Sequence, residues 1–363
     1  MVLVTYREGH ERNVALSVWG AVAAGGAAVG VLLGGILTQY LDWRWIFFVN
    51  VPVGIGVIIT ARRILDRHES EIDHNNLDLP GAILGTGGMI MLVYALVKAP
   101  TLGWTAHSTV LYFAISAAAL AGFIINEQRA KHPLVPLEIF KIRNLAGANM
   151  LQLFMTAGMF SVFFFTTLYL QEVLGYTPVK TGFSFLIIPI IIAITATNMP
   201  RLVQKIGYKP ILSVSPLFVS GGLFWLSHIP VAGTFWGNVA PGMMLMAFGM
   251  GATFVSVTIA VTSGVPHHES GLASGILNTS QQVGGAMGLA VLSGIATSAS
   301  ARYITNLHLH GAPAHNVIAA ATVQGFHDGY LIASTFGLAA SLIAILVIRN
   351  QPAVVDPAAM AGA

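Results

Sequence analysis

No cysteine occurs in the 363 residues, so disulfide bridges and thiolate metal sites are excluded and the redox compartment is left undetermined. Charge is almost as scarce. Only 9% of residues are Asp, Glu, Lys or Arg, against about 25% in ordinary soluble domains. A chain that is also 55% hydrophobic cannot cover a water-facing surface. The pI near 9.2 comes from basic residues dispersed between apolar runs, without a patch of the kind that holds nucleic acid. Met1–Asn13 carries Arg7, Glu8, Glu11 and Arg12 after a short apolar start, which is not the pattern of a cleavable signal peptide. Phosphate loop, nucleophile elbow and zinc-protease helix are all missing, so neither an enzyme nor a bound cofactor is expected.

What the chain does have is long uncharged runs. Residues 13–41, 144–171, 210–268 and 270–301 contain no Asp, Glu, Lys or Arg. A helix needs about 20 apolar residues to cross the hydrocarbon core. The pattern predicts about ten spans: 14–37, 45–65, 80–98, 108–126, 145–171, 181–203, 210–228, 236–262, 271–298 and 328–349. Pro230 and Gly233 divide the longest uncharged run. No segment alternates like a membrane strand, so the fold class is an all-α membrane protein. Ten spans put both termini on one side. Thirteen of the 17 basic residues (Arg7, Arg12, Arg62, Arg63, Arg67, Arg129, Lys131, Lys141, Arg143, Arg201, Lys205, Lys209, Arg349) fall in connections of that side. Arg44, Lys98, Lys180 and Arg302 fall on the other. The positive-inside bias therefore makes the termini cytoplasmic in a cell membrane, with Trp43, Trp45 and Trp104 as anchors at the outer boundary.

The first span carries Gly26, Gly30 and Gly34 one helical turn apart, followed by Gly35. Such spacing opens a groove in which a second backbone can lie close, a main source of helix association in lipid. This helix is expected to be gripped by a neighbour.

The stretch GGAAVGVLLGGIL…WRWIFFVNVPVG (25–54) resembles the fifth and sixth helices of major facilitator superfamily transporters, and more narrowly their fourteen-helix drug:proton antiporter branch. LDLPGAILGTGGMIMLVYAL (77–96) resembles the first of the two helices which that branch inserts between its six-helix lobes. NEQRAKHPLVPLEIFKIRN (126–144) is similar to the loop after the pair, and GLASGILNTSQQVGGAMGLAV (271–291) to the penultimate helix. The resemblance implies a major facilitator-type bundle and a multidrug-efflux transporter that exchanges amphiphilic drugs for protons. Its partners would be a small amphiphilic substrate, protons and the lipid bilayer. A periplasmic adaptor and self-association are left undecided.

Two departures accompany the resemblance. In the motif formed here by Gly26, Gly30, Val31, Gly34 and Gly35, Val31 stands where the family has proline, so this helix should be straighter and lack the bend that the resemblance associates with control of leak between the lobes. Four helices should also precede it. The chain thus reads as an N-terminally truncated transporter: 1–68 a two-span remnant of the first lobe, 69–143 the two inserted spans, 144–350 a complete six-span lobe, and 351–363 a disordered tail. Three functions stay open: drug efflux, a non-transporting remnant or structural subunit, and a metabolite exporter or symporter on the same scaffold.

Proton coupling needs a titratable group inside the membrane. All fourteen acids fall in connections or at span edges; Glu172 is nearest to a span interior, and no interior holds a histidine. Neutral polar residues are the remaining candidates. Asn278, Gln281 and Gln282 share a helix face, and burying amides against lipid is costly, so that face should line a cavity or bond a neighbouring helix. Gln152, Tyr169 and Gln171, with Phe160, Phe163, Phe164 and Phe165, make the first helix of the complete lobe a second candidate lining. Asp78 before Leu79–Pro80–Gly81 reads as a helix N-cap, and Asn50 as a polar partner for a carbonyl freed by Pro52. Arg201, Lys205 and Lys209 surround Gly207 in a short basic turn. His308, His310 and His315 have no acidic partner in sequence, so a solvated loop is expected there rather than a metal site.

Overall fold

The computed structural model describes residues 10–64, 78–262, 265, 269–308 and 314–349, with 10–24, Thr262 and His315 described in backbone only. Twelve α-helices and no strand occur among them. In order they are α1 (His10–Tyr40), α2 (Trp45–Phe48), α3 (Asn50–Ile64), α4 (Leu79–Leu102), α5 (His107–Arg129) and α6 (Arg143–Leu168). After these come α7 (Pro178–Phe185), α8 (Ile187–Ile206), α9 (Tyr208–Leu226), α10 (Ala240–Thr262), α11 (Ser270–Asn306) and α12 (His315–Leu346). Nine apolar segments among the described residues are long enough to cross a membrane, two of them built from paired helices: α2 with α3, and α7 with α8. In α1 the shorter apolar stretch Gly25–Tyr40 is added to these. The expectation of about ten spans is thereby met.

Two ends of the bundle can be told apart by charge. Arg62, Arg63, Arg129, Lys141, Arg143, Lys205 and Arg349 mark a basic end, and the turns 41–44, 103–106 and 227–234 mark the opposite end. The tryptophans Trp43, Trp45 and Trp104 are exposed at that opposite end. Local chemistry sets the boundaries. Asp78 accepts the Gly81 N–H at 2.9 Å and has Pro80 in the first turn behind it, the cap read from sequence. Thr177 caps α7 by accepting the Lys180 N–H. Gly207 turns the chain at φ 79°, a backbone that side chains with a β-carbon avoid, between α8 and α9.

The packed core lies in α6–α12, where Leu145, Met155, Phe165, Leu212, Leu223, Met243, Met246, Val257 and Tyr330 lose all or nearly all exposure. Close backbone approaches replace the hydrophobic effect as the organiser here, as expected in lipid. A β-carbon on Gly222 would meet the Gly242 carbonyl at 2.5 Å, and one on Gly249 the Ser215 carbonyl at 2.6 Å, which ties α9 to α10. Ser341 and Ser220 donate across the bundle to the carbonyls of Ser213 and Ser334. At the basic end Arg143 donates to the carbonyls of Leu346 and Val347, satisfying the last turn of α12.

Outside this core, α4 and α5 pair through Ser116, which donates to the Gly88 carbonyl at 2.8 Å, and through Tyr94 against Tyr112. The pair is seated on α11, where Pro100 lies over Gly294. α1 rests on α7 and α8. α3 has no buried residue.

Several boundaries depart from the sequence reading. α11 runs to Asn306 and α12 starts at His315, eight residues past and thirteen ahead of the spans read as 271–298 and 328–349. At 37 residues α11 is about 55 Å long, well beyond a hydrocarbon core of about 30 Å. Contacts that sequence spacing cannot show carry the pair past the membrane: Gly325 lies against the Ala296 carbonyl, and Arg302 reaches Asp328 at 3.6 Å. The span 45–65 is broken at Val49, and 181–203 begins at Pro178 with a break at Leu186. Asn50 donates to the Ile46 carbonyl and not to that of Phe48, the one Pro52 frees, because an asparagine amide reaches back one turn to its own i−4 carbonyl. α1 is unbroken, in keeping with Val31 in place of proline. The tail 351–363, Met1–Tyr6 and His310 lie outside the described residues.

Candidate functional site

The first candidate site is the seam between α1 and α7. Val31, Gly35 and Gln39 recur every fourth residue and meet the first turns of α7. A β-carbon on Gly35 would lie 2.7 Å from the Pro178 carbonyl oxygen, and one on Gly182 would lie 3.1 Å from that of Val31. Each glycine therefore admits the other helix's backbone. Gln39 Oε1 accepts the Val179 N–H at 3.0 Å, satisfying one of the orphan amides at the start of α7. The grip does not use the groove expected from sequence: nothing lies within 4 Å of a β-carbon built on Gly26, Gly30 or Gly34. The stripe in contact is displaced by one residue, or about 100° around the helix. The physical reason is polar. A helix N-terminus approaches α1, and the stripe it meets offers a gap at Gly35 and an acceptor at Gln39.

A second constellation lies between α6 and α11. A β-carbon on Gly284 would stand 2.8 Å from Leu153 Cα and 2.6 Å from Thr156 Oγ1, while Gly288 faces Ala157 and Gly285 lies under the Phe160 ring. Ser280 donates to Asn149 Oδ1 at 3.0 Å across this seam. Gln152, one turn from Asn149, is fully buried, and neither end of its amide has a hydrogen-bond partner. An unpaired buried polar group costs about 1–3 kcal/mol. Gln152 is thus poorly explained by stability.

On α11 Asn278 and Gln282 are exposed and Gln281 is half-buried. Gly271 and Gly275 continue their stripe with open space above them. These amides look away from the packed lobe, where the sequence reading offered either a cavity wall or a bond to a neighbouring helix. Gln171 is half-buried in the π-helical turn 169–173 that extends α6.

Tyr169 belongs to another arrangement. Its ring is fully buried and its hydroxyl donates to the Pro230 carbonyl at 2.6 Å. His327 Nε2 bonds the adjacent carbonyl of Ile229 at 2.7 Å, so as donor it carries its proton on that nitrogen. Helices α6 and α12 together pin the α9–α10 turn. Nothing in the sequence pairs these residues, which are 61 and 98 positions from their acceptors.

Glu127 lies in the last turn of α5. It is buried, its Oε2 accepts the Val135 N–H at 2.9 Å, and its Oε1 has no partner. Beside it Asn126 donates to Asp78 Oδ2 at 2.6 Å, tying the two ends of the α4–α5 pair. No group of three or more potential metal ligands occurs among the described residues.

A bundle of apolar helices joined by glycine contacts, with amides left unpaired or turned outward, defines a multi-pass membrane protein. The Major Facilitator Superfamily profile matches residues 1–289. Puromycin resistance protein pur8 of Streptomyces alboniger is 33% identical over 346 residues, covering 94% of this chain and 67% of the relative. The tetracenomycin C resistance and export protein of Streptomyces glaucescens is 32% identical over 292 residues, covering 80% of this chain and 54% of its own length. Multidrug transporter protein MdtP of Bacillus subtilis is 27% identical over 356 residues, covering 95% and 63%. The chain belongs to the Major Facilitator Superfamily. It spans about two thirds or less of the length of these curated relatives.

Proposed function

We propose that this chain serves the proton-coupled efflux of drugs or other amphiphilic small molecules by alternating access, in a cell membrane with both termini in the cytoplasm. One observation carries the reading: relatives named for antibiotic resistance and export match between 80% and 94% of the chain. The geometry supports it. The α1–α7 seam makes contact through backbone and one amide, a join that can part without burying or exposing charge. Gln152, with Asn278 and Gln282 on the exposed stripe of α11, supplies hydrogen-bonding amides in an otherwise apolar setting, the kind of wall a transporter presents to an amphiphile near mid-membrane. In this reading α1, with Gly26, Gly30, Val31, Gly34 and Gly35, is the gating helix, packed on α7 through Val31 and Gly35. The division into 1–68, 69–143 and 144–350 follows from the same family pattern.

The test is retention of a fluorescent cationic dye in cells lacking other pumps. Expression should lower dye content, a protonophore should abolish the effect, and Gln282→Ala should weaken it. Dye content indifferent to both expression and protonophore would sink the proposal.

A further inference from the structure

We infer that the outward groove between α8 and α10 binds an anionic phospholipid of the cytoplasmic leaflet. α7 and α8 use two directions for packing. Gly182 abuts α1, and Thr195 with Ile192 abuts Gly251 of α10. A third stripe, Ile194, Asn198, Arg201 and Lys205, recurs at intervals of four, three and four residues, and all four side chains are exposed. Beside its upper part lies a hollow of about 240 Å³ lined by Ile191, Ile194, Thr195, Asn198, Met199 and Phe248. Those walls are almost wholly apolar, which suits a hydrocarbon chain and disfavours a hydrated solute.

The polar groups follow in the order a phospholipid presents its own. Asn198 Nδ2 donates one proton to the Ile194 carbonyl at 2.7 Å, and a primary amide has a second to give, here at the depth of an acyl ester. Arg201 and Lys205 stand one and two turns further toward the basic end, and neither forms an ion pair among the described residues. From Asn198 to Lys205 is about 10 Å along the helix. Apolar hollow, amide and two cations thus complement acyl chain, ester and phosphate. Positive charge at that level attracts the anionic inner leaflet. The assignment to that leaflet rests on the cytoplasmic placement proposed above.

Native mass spectrometry of the detergent-purified chain, titrated with phosphatidylglycerol or phosphatidylcholine, tests the site. The wild type should retain phosphatidylglycerol preferentially. The double variant Arg201→Gln, Lys205→Gln should hold it about 30-fold more weakly, roughly fivefold for each charge, with an unchanged unfolding midpoint. A phosphatidylglycerol carrying a photoreactive acyl chain should label the peptides with Ile194 or Phe248. Equal retention of the two lipids, an unaffected double variant, a label elsewhere, or a second copy of the chain crosslinked through this stripe would each overturn the inference. Orientation is checked separately by Gln204→Cys, a unique thiol in a cysteine-free chain. Labelling from the cytoplasmic face supports the leaflet; labelling from outside overturns the topology and the leaflet with it, whereas loss of the lipid preference overturns the site alone.

Discussion

Two glycines of α11 should respond in opposite directions to the same substitution. Gly288 faces Ala157 of α6 so closely that an added β-carbon would lie 3.0 Å from its carbonyl carbon and nearer still to its Cα and Cβ. Ordinary carbon–carbon contact is about 3.5–4.0 Å, so Gly288→Ala must part the helices by on the order of 1 Å. Backbone cannot rotate aside as a long side chain can, and the Gly284 and Gly285 contacts on the same seam loosen together. Overpacking of this kind costs about 1–3 kcal/mol. Gly275, on the exposed stripe thirteen residues earlier, has nothing within 4 Å. There Gly275→Ala adds only helix propensity and should stabilise by about 0.5–1 kcal/mol. Unfolding midpoints of the two variants in one detergent, measured beside the wild type, should bracket it. Matching shifts for both, or a stabilised Gly288→Ala, would refute the claim that close backbone approach holds α6 to α11.

Gln152→Leu removes an unpaired buried amide and should raise stability by about 1–3 kcal/mol while lowering dye efflux; a variant that is both stabilised and fully active would return Gln152 to a neutral packing role. Tyr169→Phe deletes the bond to the Pro230 carbonyl and should cost about 1 kcal/mol by thermal unfolding, with faster hydrogen exchange in the 227–234 turn. Asp78→Ala removes both the α4 cap and the acceptor of Asn126, so a loss of about 1–2 kcal/mol is expected, and Asp78→Asn should recover part of it because its amide oxygen still caps.

Span number, the basic end and the capped start of α4 were legible in the linear chain, because each depends on composition or on neighbours within one helical turn. Twenty apolar residues must cross the membrane wherever they are placed, and Asp78 reaches Gly81 whatever else folds. Identity of the superfamily was legible for the same reason, as short ordered motifs. Which side of a helix is used was not. Gly26, Gly30 and Gly34 have the spacing for close packing, yet α7 lies on Val31, Gly35 and Gln39, where Gly35 admits its backbone and Gln39 accepts one of its amides. Burial of Glu127 and Gln152, the pinning of the 227–234 turn by Tyr169 and His327, and the extension of α11 and α12 past the membrane were likewise settled by residues tens of positions away. Periodicity records what a helix could offer to a neighbour. Only the packed bundle decides which offer is taken up, since contact, unlike propensity, belongs to two segments at once.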